Sequence, residues 1–282
     1  MITVRNLTKK YKDLIVLDDL NLEIEDGQIF GLVGVSGVGK STLLGCLNGL
    51  ESYCEGSISV DGTCVEELRG KDLREFRKNM GMIFQNFSLI GRKTIYQNIA
   101  FPMECWGYNK SDTDKRVREL AHLVGIEDKL DSRPHQLSGG QKQRAAIARA
   151  LTLEPRYILC DECTSSLDPA TTGHILDLLE SINEKLGITV IMVTHEMTVI
   201  KRICRNIAIL EAGRIVETGK VSELFKNPPD ALLSLLGKGE ESSDLQSRNM
   251  LEISDESLEQ VTKYLDEHHI EYRRTKGGDF LC

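Results

Sequence analysis

No apolar run in this chain approaches the ~18 residues that cross a bilayer, and Met1-Ile-Thr-Val-Arg5 does not start a signal peptide. Any role at a membrane is therefore expected to come through a partner. Zinc-binding cysteine pairs are missing too: the eight cysteines scatter through expected strands and helices, which fits reduced thiols in a cytoplasm. Cys160 and Cys163 do form a C-x-x-C, but Cys160 closes an apolar strand and no helix starts at Cys163. Both read as small apolar residues. Excess positive charge is absent, since the formal net charge is −8, and this argues against a nucleic-acid partner. No sustained heptad stretch marks a coiled coil. What is left is an ordinary globular composition, 40% hydrophobic and 28% charged over 282 residues, long enough for one large domain and an appendage.

Against that plain background, Gly34-Val-Ser-Gly-Val-Gly-Lys-Ser-Thr42 stands out, because it fits the phosphate-loop pattern G-x-x-x-x-G-K-[ST]. Its context agrees. The apolar run Ile29-Phe-Gly-Leu-Val33 reads as a buried strand, and Ser41 to Leu50 carries leucines at helical spacing. Gly34, Gly37 and Gly39 let the backbone curl so that several N–H groups converge on one anion, with Ser36 and Thr42 in the same cradle. The helix start adds about half a positive charge behind them. Lys40 is expected to reach the β- and γ-phosphates of a nucleoside triphosphate, and the Ser41 hydroxyl to ligate Mg²⁺.

Tyr157-Ile-Leu-Cys-Asp161-Glu162 supplies the second half of such a site: a buried parallel strand ending in two acids. Asp161 is expected to hold Mg²⁺ and Glu162 to act as general base on the attacking water. Leu137-Ser-Gly-Gly-Gln141 then opens a helix with Ser138 at the N-cap, where Gly139 and Gly140 expose N–H groups as a second anion site. One γ-phosphate has no evident need of two such sites in one chain. Two chains packed head to tail would give each ATP both, so a homodimer enclosing two nucleotides is expected.

Taken together, Gly34–Thr42, Gln85 in Gly-Met-Ile-Phe-Gln, Leu137–Gln141, Tyr157–Glu162, Ser166-Leu-Asp168 and Thr194-His195-Glu196 resemble an ATP-binding-cassette (ABC) ATPase over about residues 1–235. The resemblance implies an α/β fold: a P-loop NTPase (RecA-like) core with an antiparallel β-subdomain (residues 1–30 and 52–70) and a helical subdomain (about 88–150). It further implies that Tyr11 stacks on adenine and that Gln85 touches Mg²⁺ and the attacking water. Ser138, Gly139, Gly140 and Gln141 would complete the ATP site of the other chain, Asp168 would cross the dimer interface, and His195 would contact the γ-phosphate. For His195 the sequence adds its own support, because it follows the apolar strand Ile188–Val193 and so projects from a strand's carboxyl end.

With one cassette, no coiled coil and no membrane helix, the chain fits an importer subunit on the cytoplasmic face of the cell membrane, bound to separate permease subunits and, through them, to a solute-binding protein. Gly81–Leu89, Cys160–Glu162, Leu167–Thr172 and His195–Cys204 are similar to the ATPases of methionine importers. Cys163, Ser166 and Gly91-Arg-Lys93 depart from that pattern. Another amino-acid importer, a lipoprotein-release system or a cell-division complex are the alternatives.

Residues 1–237 are expected to form the ATPase domain, 238–247 a polar linker and 248–282 a small appendage. Beyond Gly237 there are 11 acidic and 6 basic residues. Arg248–Ile253 and Ile270–Arg273 read as strands around an amphipathic helix at 254–265, a βαβ unit. Methionine importers carry a C-terminal ferredoxin-like domain that binds methionine and inhibits transport; this tail resembles half of it. Such a unit buries little apolar surface alone, so pairing of two tails across the dimer, or loss of the regulatory site, is the expectation.

Overall fold

The computed structural model describes residues 1–244 and the short stretches 250–251, 273–274 and 280–281. Two compact units divide the chain, Met1–Leu232 and Leu233–Cys282. The first begins with a long antiparallel pair, β1 (Ile2–Tyr11) and β2 (Leu14–Ile24), then β3 (Ile29–Val33) and α1 (Lys40–Leu47). After β4 (Glu55–Val60), β5 (Thr63–Cys64), α2 (Gly70–Lys78) and β6 (Met80–Phe84) come three helices, α3 (Ile95–Cys105), α4 (Lys110–Val124) and α5 (Gly139–Leu151). The chain then alternates: β7 (Tyr157–Asp161), α6 (Pro169–Leu186), β8 (Thr189–Val193), α7 (Met197–Ile203) and β9 (Asn206–Glu211). It closes with β10 (Arg214–Lys220), α8 (Val221–Leu224) and α9 (Asp230–Asp244).

Six strands form the core sheet in the order β10-β9-β3-β8-β7-β6, all parallel except β10. Every residue of β3 and β8 is buried, which is why both read as unbroken apolar runs rather than alternating ones. The antiparallel sheet β2-β1-β4-β5 is the expected β-subdomain, though β1 and β2 are ten and eleven residues long and carry bulges. Asn6 and Asp19 take left-handed backbone angles at those bulges and their side chains hydrogen-bond at 2.8 Å. Helix α1 is held between the sheets: its Leu43, Leu44 and Leu47 join one apolar cluster with Ile2, Leu7, Leu20 and Ile58 of one sheet and Leu32, Leu159 and Ile191 of the other. The phosphate-loop helix is thus fixed by burial on both flanks.

The helical subdomain appears as expected, with α3, α4 and α5 packed on one another. Thr94 and Gln97 cap α3 reciprocally, and Gly125 ends α4 in the left-handed conformation. On α4 the residues Val117, Leu120, Ala121 and Val124 are buried, the apolar stripe that the periodicity predicts. Helix α5 lies close against β6, where a Cβ on Gly81 would come within 2.7 Å of the Ala150 carbonyl oxygen.

Two differences concern the C-terminal region. Helix α9 runs to Asp244, through part of the stretch that composition reads as linker: its polar residues are compatible with a helix, and charge alone does not exclude one. In the second unit, β11 (Met250–Leu251) and β12 (Arg273–Arg274) fall in or beside the segments expected as strands. A third strand not anticipated, β13 (Phe280–Leu281), lies between them and pairs antiparallel with both. The two expected strands are therefore not neighbours, as a bare βαβ would make them. The helix expected over 254–265 lies outside the described residues.

Replacing Gly81 by Ala should push α5 from β6, because the opposing atom is backbone and has nowhere to turn. A loss of about 1–3 kcal/mol in urea denaturation is the expected outcome; unchanged stability would show that the contact has slack.

Candidate functional site

The carboxyl ends of the parallel strands open into one cleft of about 420 Å³, lined by Val16, Ser36, Gly37, Gly39, Lys40, Ser41, Thr42, Gln85, Asp161 and Glu162. The glycine-rich turn leaves β3 and enters α1. Gly34 passes so near β9 that a Cβ there would meet the Leu210 carbonyl oxygen at 2.3 Å, and Gly39, the N-cap of α1, has a φ of 109°. The first intrahelical bond is Leu43 N–H to Gly39 C=O, so the N–H groups of Lys40, Ser41 and Thr42 precede it and form the positive end of the helix dipole.

Lys40 is buried, and its Nζ donates to the carbonyls of Gly34 and Val35, both at 2.8 Å. Burial draws its pKa below the ordinary lysine value, against the opposing pull of Glu162 and Asp161. The Ser41 hydroxyl donates to Asp161 Oδ1 at 2.8 Å across 120 residues of sequence. Burial pushes the Asp161 carboxyl above the usual range and the neighbouring Glu162 charge adds to that, while Ser41 and Lys40 act the other way.

Glu162 follows β7 with a φ of 49°, a left-handed conformation unusual for a residue with a side chain. Its N–H is held by the Val193 carbonyl at 3.0 Å, and its own carbonyl accepts from the Ser165 N–H and hydroxyl. This turn sets the Glu162 carboxylate in the cleft, with Oε1 3.4 Å from His195 Nδ1. Gln85 sits one residue beyond β6, and its carbonyl accepts from the Ser166 hydroxyl at 3.3 Å. Cys160 and Cys163 are both buried, and the hydrogen bond from Cys163, with burial, pushes the Cys160 thiol well above the ordinary value, in keeping with small apolar residues.

Gly34 and His195 border this cleft without lining it, and Tyr11, Ser138–Gln141 and Asp168 do not line it either. Tyr11, at the end of β1, is about half exposed. Ser138 caps α5 in a reciprocal pair with Gln141: each side-chain oxygen accepts the other residue's backbone N–H, and the N–H groups of Gly139 and Gly140 lie between them at the helix start. Asp168 caps α6 through the Thr171 N–H at 3.0 Å, and the Thr171 hydroxyl together with that N–H holds its carboxyl below the usual range. The two helix starts touch: a Cβ on Gly140 would meet Thr171 Cγ2 at 2.6 Å, and one on Gly139 would meet Leu167 at 3.2 Å. Packing therefore demands these glycines as much as anion binding does.

Val16 is the cleft residue that motif reading misses. Its signal is the apolar run Leu14-Ile-Val-Leu17, which breaks the alternation of β2 and leaves more apolar side chains than one buried face can take. Its carbonyl lies where Cβ atoms of both Gly39 and Gly213 would fall, at 3.0 and 2.7 Å, so the strand is braced from two sides.

A phosphate loop facing two acids at the carboxyl edge of a parallel sheet defines a P-loop nucleotide-hydrolase site. Residues 17–165 match the ABC transporter family. The methionine import ATP-binding protein MetN of Clostridium acetobutylicum is 54% identical over 241 residues, 86% of this chain and 75% of that protein. Its namesake in Wolinella succinogenes is 54% identical over 225 residues, covering 80% and 74%. Among solved structures, a dimeric post-hydrolysis ATP-binding cassette bound to ADP and Pi superposes with a TM-score of 0.72 at 34% identity, over 78% of this chain and 99% of that one. CbiO1 of Clostridium perfringens, part of an ABC transporter complex, gives 0.75 at 32%, over 80% and 90%. The chain belongs to the ABC transporter family, as one of its ATP-binding ATPase cassettes.

The contact between the two helix starts is testable by rescue. Gly140→Ala should destabilise the protein by about 1–3 kcal/mol. Adding Thr171→Ser, which removes the opposing methyl and leaves the Asp168 cap intact, should restore most of that stability. A double variant no better than the single would locate the cost elsewhere.

Proposed function

We propose that this chain is the ATP-hydrolysing subunit of an amino-acid importer, with methionine as the transported solute, working as a homodimer beneath separate permease subunits. The observation that carries the hydrolytic reading is the meeting of Ser41, Asp161 and Glu162 in the cleft that holds Lys40. The solute rests on the curated relatives at 54% identity, since no residue of an ATPase subunit need touch it. The family's solved dimer supports the assembly, and no described helix is long and apolar enough to cross a membrane, which supports peripheral attachment at the cytoplasmic face. A solute-binding protein would take part only through the permease, and no nucleic acid is involved.

The donors that face one another suit Mg²⁺: a hydroxyl, a carboxylate and an amide oxygen, all hard ligands, beside two acids that outnumber the single buried lysine. Ser41 and Asp161 would hold the ion, with Gln85 near it, and the ion would neutralise charge between the β- and γ-phosphates. Lys40 and the loop donors of Gly34, Ser36, Gly37, Gly39 and Thr42 bind the phosphates, and Tyr11 carries the adenine. Glu162 takes the proton of the attacking water, and Gln85 orients that water. His195, beside Glu162, donates to the γ-phosphate. Ser138, Gly139, Gly140 and Gln141 of one chain close the site of the other, with Asp168 at the boundary. ATP then binds the closed dimer better than the open one, and its loss reverses the closure that the permease follows.

Glu162→Gln should lower ATP turnover by about two orders of magnitude or more, and should abolish methionine uptake into proteoliposomes that contain the cognate permease. Turnover within a few-fold of the parent would remove Glu162 as the base. Uptake of another amino acid in preference to methionine would overturn the solute.

A further inference from the structure

Lys9 is a buried cation that the reading above does not use. It is 5% exposed, deep enough that an apolar side chain would ordinarily occupy the position. Its Nζ donates to Glu51 Oε2 at 2.9 Å and to the Ser52 carbonyl at 2.6 Å, and lies 4.3 Å from the centre of the Tyr11 ring. Lys9 and Tyr11 are two residues apart on β1, the spacing that puts side chains on one face of a strand. Glu51 belongs to another part of the molecule, the segment after α1. Its N–H bonds the Gly45 carbonyl at 2.9 Å, and its Cγ fills the space where a Cβ on Gly45 would stand, 2.8 Å away. Gly45 lies one turn beyond Thr42 on the phosphate-loop helix.

We propose that Lys9, clamped by Glu51, is a positioning residue that holds the Tyr11 ring for adenine and couples it to the helix that carries the phosphate donors. The proposal rests on the reading of Tyr11 as the adenine platform. One face of the ring is covered by the ammonium, which leaves the other face of this half-exposed side chain for the base. A cation beneath the ring also draws electron density from it, which favours stacking with an electron-rich purine. The chain of contacts Gly45–Glu51–Lys9–Tyr11 would fix the spacing between the base and the triphosphate. Glu51 responds to the same pair: Lys9 first, and then Tyr11, hold its carboxyl below the usual range.

Steady-state kinetics on the intact transporter separate this from a merely structural role, with inorganic tripolyphosphate as a competitor that lacks a base. Lys9→Met should raise the KM for ATP about three- to ten-fold, the size of a desolvated cation–π contact. It should leave kcat and the tripolyphosphate inhibition constant within about two-fold, because the phosphate site is untouched. Lys9→Arg should restore the KM. In a Tyr11→Leu background, Lys9→Met should add nothing further. Equal weakening of ATP and tripolyphosphate, or a full Lys9→Met effect in the Tyr11→Leu background, would overturn the proposal. A Tyr11→Leu variant with unchanged KM would instead overturn the adenine role of Tyr11 and the proposal with it. If Lys9→Met does not fold, Glu51→Gln at its more exposed position carries the same test: KM should rise with tripolyphosphate inhibition unchanged, and an unchanged KM would count against the clamp.

Discussion

Five parallel strands in fixed register end at one edge, and the chemistry of this protein depends on that alignment. Leu32 lies opposite Val193, Val193 opposite Asp161, and Asp161 opposite Phe84. One or two residues past those positions come Gly34, His195, Glu162 and Gln85. Four segments far apart in sequence thus deliver a glycine-rich loop, a carboxylate, an imidazole and an amide to one crevice. A slip of one residue in any of these pairings would turn its side chain into the sheet. Both faces of β3 and β8 are buried, so a slip would force the close-packed layers on both sides of the sheet to repack at once.

The same edge concentrates charge that the protein alone does not balance. Asp161 and Glu162 are adjacent, and Asp161 is pushed toward its neutral form by burial and by its neighbour. Lys40 is drawn toward its own neutral form by burial. Each becomes easier to hold charged once a bound anion and cation complete the set, which is how a binding site stores affinity. The left-handed backbone at Glu162 fits this pattern, since such strain persists where surrounding bonds over-determine it.

Much of this was legible in the sequence. The strand, glycine turn and helix around Gly34 were readable because only glycine tolerates the approach to Leu210 and the turn at Gly39. The acids after β7 and the histidine after β8 were readable because unbroken apolar runs announce buried parallel strands. Val16 escaped because its role comes from a bulged hairpin folding over the loop, a tertiary event with only a broken alternation as its trace. The Lys9–Glu51–Tyr11 contact escaped for the same reason, joining a strand to a turn 42 residues away. In the C-terminal unit, longer apolar-polar runs around β11 and β12 marked two strand positions, whereas Phe280-Leu281 of β13 follows Lys276-Gly-Gly-Asp279 and has no such run around it.

A single chain leaves the turn at Ser138–Gln141 outside the cleft that the phosphate loop lines. In the proposed assembly ATP is shared between two copies, each supplying what the other lacks. Sedimentation of the Glu162→Gln protein with and without MgATP tests this directly. A monomer without nucleotide and a dimer holding two ATP molecules with it is the expected result. A monomer saturated with ATP would contradict it.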